Sequence, residues 1–187
     1  MLYKQNLQEF FETELFDVFA KRQNLLPKNE SIFQLNLPYV VGILVRFFKT
    51  EEFTRDFTAT PLYDLRLNGN AGIPKIQGLA DFCLFRTGIF PLDFNTKRVP
   101  PRRNFVMAGK SAYFDLSLRL KERSLLFHSL ALNFVILANM ISEVRLKNLP
   151  EQEILKLFEF WQESGNPLAG ELLTKMGVSL TSLKTSQ

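Results

Sequence analysis

The stretch Ser124-Leu-Leu-Phe-His-Ser-Leu-Ala-Leu-Asn-Phe-Val-Ile-Leu-Ala-Asn-Met-Ile-Ser142 decides the fold, because its nineteen residues carry no charge. Arg123 precedes it and Glu143 follows it. Apolar residues fall on every side of the helix that such a stretch would form. A helix of this kind is either a membrane span or the buried centre of a helical domain.

The polar residues within this stretch favour a buried helix over a membrane span. Its length is close to the roughly 20 residues that a span requires. However, it contains His128, Asn133 and Asn139, and polar side chains are costly at the middle of a membrane. We therefore predict a buried central helix at about residues 123–145 and no membrane span. Each of the three polar side chains then needs a hydrogen-bond partner.

The segments on both sides show the three- and four-residue spacing of amphipathic helices. They can cover the central helix, and no segment alternates convincingly with the period of a strand. The sequence thus predicts one all-α domain over 1–187, a bundle of about seven or eight helices with a frayed tail at about 178–187. The clearest flanking helices are 5–22, one opening at Pro38, 74–85, 105–121, and two opening at Pro150 and Pro167.

Cysteine content and the N-terminus favour a cytoplasmic protein. Cys83 is the single cysteine, so no disulfide can form within the chain, which suits a reducing compartment. Its position on an apolar helix face indicates a small core residue. The N-terminus lacks the basic start and apolar run of a signal peptide.

Positive charge is concentrated between residues 96 and 123, which carry eight basic residues against Asp115 and Glu122. Four of these cations surround two prolines ahead of a predicted helix and could bind an anion or a nucleic-acid backbone. A solvated loop is the favoured alternative, because no basic recognition helix is evident. The candidate anion-binding residues are Lys97, Arg98, Arg102 and Arg103.

A second set of polar residues interrupts otherwise apolar helices. Asp81 lies in the apolar run Asp81-Phe-Cys-Leu-Phe85, where a carboxylate needs a partner. We predict a polar cluster in which it meets other groups, with a structural role favoured over a functional pocket. The candidate members are Asp81, Arg86, Tyr113 and His128.

Several chemistries are excluded or receive no support from the sequence. With one histidine and one cysteine, 45 positions apart, a zinc site built from these residues cannot form. The chain contains neither a Walker A loop nor a G-x-G-x-x-G motif, the two glycine-rich patterns that bind phosphate groups. We predict no metal, no cofactor and no catalytic residue, although an enzyme that uses His128 or Asp81 stays open as an alternative.

The segment Leu79-Ala-Asp81-Phe-Cys-Leu-Phe85-Arg-Thr-Gly88-Ile-Phe90-Pro, followed by Phe105-Val-Met107-Ala-Gly109-Lys-Ser-Ala112-Tyr113, resembles a family of bacterial proteins that has no assigned activity. The family pattern has Gly, Phe and paired tyrosines where this chain has Ala80, Ile89 and Asn104-Phe105. The resemblance implies an intracellular bacterial all-α protein. It also implies a two-helix unit whose helices are bridged by the basic loop. The residues that belong to this unit are Asp81, Gly88, Met107, Gly109 and Tyr113.

Together these observations favour a soluble helical interaction or regulatory module without catalytic activity. Its partner would be a second copy or another protein, rather than a membrane or a nucleic acid. One alternative is a binder of an apolar or aromatic small molecule, in a pocket lined by some of the 19 phenylalanines. A further alternative is anion or nucleic-acid binding through the basic loop 97–103. An exposed apolar stripe on 5–22 or 150–176 would indicate a dimer interface.

Overall fold

The computed structural model describes residues 6–22, 30–49, 72–95, 100–150 and 153–178, and every regular element among them is helical. The all-α prediction is therefore confirmed. Seven α-helices and two short 3₁₀ segments, Pro91–Asn95 and Lys121–Arg123, make up these ranges. The α-helices are α1 (Leu7–Arg22), α2 (Glu30–Lys49), α3 (Ile73–Ile89), α4 (Arg102–Arg119), α5 (Ser124–Lys147), α6 (Ile154–Ser164) and α7 (Pro167–Lys175).

Helix α5 contains the charge-free stretch and lies at the centre of the bundle. Helices α3, α4 and α5 pack against one another, while α1 and α2 cover another side of α5. The main core joins side chains from all five of these helices. A smaller apolar cluster forms where α6 and α7 meet the C-terminal end of α5, around Leu146, Leu157 and Leu173. The other helices thus pack around α5, the helix that contains the charge-free stretch.

Two glycines set the close approach of the three central helices. A Cβ atom placed on Gly109 of α4 would collide with the Phe134 ring of α5 and come within 2.9 Å of the Cys83 Cβ atom of α3. A Cβ atom on Gly88 would come within 2.6 Å of the Ile141 side chain. The absence of a side chain at these two positions lets the helix backbones come together.

The second helix begins earlier than its proline predicts. The structure starts α2 at Glu30, so that Pro38 lies inside the helix and not at its first turn. The two residues before this proline, Asn36 and Leu37, are buried against the bundle. Their burial stabilises the helical turn ahead of Pro38, although the ring removes one backbone hydrogen bond.

One side of the central helix is exposed, which corrects the prediction that α5 is covered all round. Leu125 and Leu132 are 81% and 66% exposed, and His128 and Asn139 also face solvent. The segment Lys121–Lys147 meets the length and composition criteria of a membrane span, and half of its most apolar window is buried in the fold. Core helices of soluble proteins meet the same criteria.

Two parts of the predictions lie outside the described residues. These are the tail after Val178, expected to be frayed, and the first half of the basic loop, which includes Lys97 and Arg98.

We expect Gly109→Ala to destabilise the fold by at least about 2 kcal/mol, because the added methyl overpacks the contact with Phe134. The matched control is Gly42→Ala, since nothing lies within 4 Å of a Cβ atom at this exposed position of α2. The control should be stabilised by about 0.5 to 1 kcal/mol, because alanine is the better helix former. Urea unfolding followed by circular dichroism measures both, and equal effects would contradict the proposed role of Gly109.

Burial raises the pKa of the Cys83 thiol to about 12, whereas a thiol in an unfolded chain has a pKa of about 8.5. We therefore expect the native protein to react with Ellman's reagent at pH 8 only as fast as it unfolds. The unfolded chain in guanidinium should react at once. Between about pH 8.5 and 10 the wild type should lose stability as pH rises relative to Cys83→Ala, because only the unfolded thiol releases its proton there. A fast reaction of the native protein would contradict this burial.

Candidate functional site

The most densely bonded polar group in the described structure is the Asp81 carboxylate, which is fully buried. Its Oδ1 atom accepts hydrogen bonds from the hydroxyls of Tyr39 at 2.9 Å and Tyr113 at 2.8 Å. Its Oδ2 atom accepts from the Arg46 guanidinium at 2.7 Å. Gln77 donates to the Tyr39 hydroxyl at 2.9 Å. Three helices, α2, α3 and α4, are thereby joined at one carboxylate.

The electrostatics of this cluster are those of a closed, structural group. Desolvation raises the pKa of Asp81, while the Arg46 guanidinium and the two hydroxyls oppose that rise. Burial, together with the negative charge of Asp81, raises the pKa values of Tyr39 and Tyr113, so both hydroxyls keep their protons and continue to donate. Only Arg46 is substantially exposed, with about half of its side chain in solvent. The arrangement ties helices together and presents no carboxylate oxygen to a substrate.

The structure brings together two of the four residues proposed for the polar cluster and places the other two elsewhere. Asp81 and Tyr113 are bonded to each other. Arg86 lies one turn beyond Asp81 on α3 and pairs with Asp93 at 3.0 Å, with its guanidinium over the Phe90 ring. His128 lies on the exposed side of α5, beside Phe114.

Sequence reasoning missed the residues of α2 that complete the cluster. Tyr39 and Arg46 are seven positions apart and so lie on one face of that helix. This spacing was a usable signal, but nothing in the sequence indicated that the face would meet Asp81. Arg86 is closer to Asp81 in the sequence than Arg46 is, but it pairs instead with Asp93 of the following 3₁₀ segment.

Ser129 and Asn133 of α5 form a second, smaller polar cluster with Asn36 of α2, and Asn139 has a separate partner. The buried Asn36 side chain of α2 donates to the Ser129 hydroxyl at 2.8 Å, and Asn133 donates to the same hydroxyl at 3.2 Å. Asn139 accepts a hydrogen bond from Arg102 at 2.8 Å. These contacts supply the partners predicted for Asn133 and Asn139, although Asn139 is exposed rather than buried.

The proposed anion-binding loop is only partly within the described chain. Arg102 is held by Asn139, and partial burial lowers its pKa. Arg103, the next residue of α4, is exposed. Lys97 and Arg98 lie outside the described residues.

A set of exposed apolar side chains on two adjacent helices, here named the α4–α5 surface, is the clearest candidate for binding. Each of its six defining side chains is between 39% and 81% exposed. The Phe114 and His128 rings, 6.0 Å apart, join its two helices near one end, and the bond from Arg102 to Asn139 joins them at the other. The six residues are Met107, Phe114 and Leu118 of α4 and Leu125, Leu132 and Val135 of α5.

Within the described ranges, no three His, Cys, Asp or Glu side chains group closely enough to hold a metal ion.

Comparisons of the chain with protein-family models, curated proteins and solved structures found no match. The resemblance given above, and the intracellular bacterial origin that it implies, therefore stay predictions. Of the features described, the Asp81 cluster is buried and the α4–α5 surface is accessible to a partner.

We expect Asp81→Asn to destabilise the fold by about 3 kcal/mol, because an amide offers one acceptor oxygen where the carboxylate serves three donors. The amide nitrogen would also face either the Arg46 guanidinium or a tyrosine hydroxyl. The same change at Asp115, whose ion pair with Arg119 is exposed, should cost less than about 1 kcal/mol. Thermal and urea unfolding of both variants measure the difference, and similar losses would contradict the role given to Asp81.

Proposed function

We propose that this protein is a helical interaction module whose docking site is the α4–α5 surface. The observation that carries the proposal is the exposure of six large apolar side chains on one face of two adjacent helices. Together they expose on the order of 600 Å², the upper end of the largest apolar patch on a typical monomer. A standard interface buries roughly 800 Å² on each partner, so this patch and its polar rim are large enough for one.

The charges around the surface favour a partner with acidic groups. Lys110 lies on the exposed side of α4 between Met107 and Phe114, and Arg103 lies one turn before Met107. Lys121 and Arg123 are exposed at the opposite end, where Glu122 is the one exposed acid of the connecting segment. An amphipathic helix with an apolar ridge and acidic flanks matches this surface in both shape and charge.

Two observations favour a protein partner over an apolar small molecule, one on the α4–α5 surface and one on the phenylalanines elsewhere in the fold. The six side chains that define the surface are each at least 39% exposed to solvent. In addition, many of the phenylalanines contact one another. The Phe47 and Phe85 rings are 4.8 Å apart, and the Phe94 and Phe105 rings are 5.3 Å apart. These rings are already used in packing. A regulatory role in the cytoplasm, without catalysis, is part of the same proposal.

The proposal is tested with three probes, followed by fluorescence anisotropy or co-sedimentation. The probes are a labelled helical peptide with leucines along one face and glutamates on both flanks, phosphatidylglycerol vesicles, and a single-stranded RNA. We expect the peptide to bind and Leu132→Glu to weaken that binding at least about tenfold, since a charge would be buried in the interface.

The matched control is Leu155→Glu, because Leu155 of α6 is as exposed as Leu132 but lies outside the α4–α5 surface. It should leave peptide binding unchanged, and circular dichroism should show that both variants are folded. Binding of vesicles or RNA in preference to the peptide would overturn the proposal. Failure of all three probes, or equal losses in the two variants, would overturn it as well.

A further inference from the structure

The charges of the α4–α5 surface argue against a contact between two copies of that same surface. Lys110 lies within it, and Arg103, Lys121 and Arg123 surround it. Face-to-face pairing would bring these cations together, and like charges brought together across an interface are unfavourable. A second copy of this chain can occupy the surface only through a different, acidic face.

Helix α1 carries such a face. Its core side packs into the bundle through Phe11, Leu15, Val18 and Phe19. Its opposite side, here named the α1 acidic face, combines three exposed acids with two exposed aromatic rings. Phe10 is 41% exposed and Phe16 is 58% exposed, and their rings adjoin the core rings of Phe11 and Phe19. The residues of this face are Glu9, Phe10, Glu12, Phe16 and Asp17.

The dimensions of the two faces agree. The sixteen residues of α1 span about 24 Å, and the exposed row of α5 from Leu125 to Asn139 spans about 21 Å. Phe10 and Phe16 lie about 9 Å apart along α1 and on opposite edges of its exposed face. A helix laid along α4 and α5 could therefore direct one of these rings toward each of the two helices. Its acidic residues would then lie within reach of Lys110 and Arg103.

We propose that the α4–α5 surface binds helix α1 of a second copy of this chain. The contact is between copies because α1 uses its opposite side to pack on its own bundle, so its acidic face is directed away from it. Each copy then provides one acidic helix and one basic apolar surface. This inference rests on the proposed function and names the partner of that same surface.

The test uses charge reversal on each face, in full-length chains. The surface variant carries Arg103→Glu and Lys110→Glu, and the helix variant carries Glu9→Lys and Asp17→Lys. Sedimentation over a range of concentrations should show that the wild type self-associates. Each variant alone should self-associate at least about tenfold more weakly, because its contact now joins like charges.

Mixing and recombining the variants distinguishes this contact from any symmetric one. An equimolar mixture of the surface variant and the helix variant should associate, since both the native contact and the charge-reversed contact join opposite charges between them. A chain that carries all four reversals should self-associate again. A matched control with Lys156→Glu and Glu163→Lys, both exposed on α6, should behave as wild type.

The inference is overturned if the wild type stays monomeric throughout, or if the helix variant self-associates as well as the wild type. In either case, binding of the acidic peptide that is lost in Leu132→Glu would leave the proposed function standing with another partner. A wild type that stays monomeric and also fails to bind the acidic peptide would overturn both. Circular dichroism melting confirms that each variant is folded before its mass is interpreted.

Discussion

The structure depends on one constraint: a helix of nineteen uncharged residues has to be removed from water by its neighbours. Helices α3 and α4 achieve this most closely, because Gly88 and Gly109 allow backbone approach that any side chain would block. Helices α1 and α2 cover a second side, and α7 covers the C-terminal end. One side of α5 stays exposed to solvent, and its apolar residues lie beside exposed apolar residues of α4. The same composition that forms the core therefore also produces the exposed apolar α4–α5 surface, which we propose as the docking site.

Burying the centre of the bundle brings a carboxylate inside with it. Asp81 lies where α2, α3 and α4 meet, so its desolvation has to be offset by donors from the neighbouring helices. Two tyrosine hydroxyls and one guanidinium supply them. Because these donors project from α2 and α4, the cluster holds together only when all three helices are docked. We interpret it as a device that specifies the packing arrangement rather than as a reaction centre.

Much of this organisation could be predicted from the sequence, and the failures have physical causes. Apolar periodicity predicted the helical class and the position of α5, because local spacing determines which residues share a helix face. The pairing of Asp81 with Tyr113 followed from the need of a buried carboxylate for a donor. The choice of Arg46 over Arg86 did not follow, because both arginines lie on helices near Asp81 and only the docking of α2 decides which one reaches it. His128 was expected inside because an apolar stretch does not reveal which side stays uncovered.

The sequence by itself determined that this chain forms helices, that the stretch 124–142 is the most apolar of them, and that positive charge is concentrated just ahead of it. These are properties of neighbouring residues, and spacing along the chain is enough to specify them. The tertiary structure alone decided which face of α5 remains exposed, which arginine pairs with Asp81, and that the acidic side of α1 and the basic apolar surface of α4 and α5 are both presented to solvent. Each of these depends on how helices distant in sequence dock against one another, and no local pattern encodes that geometry.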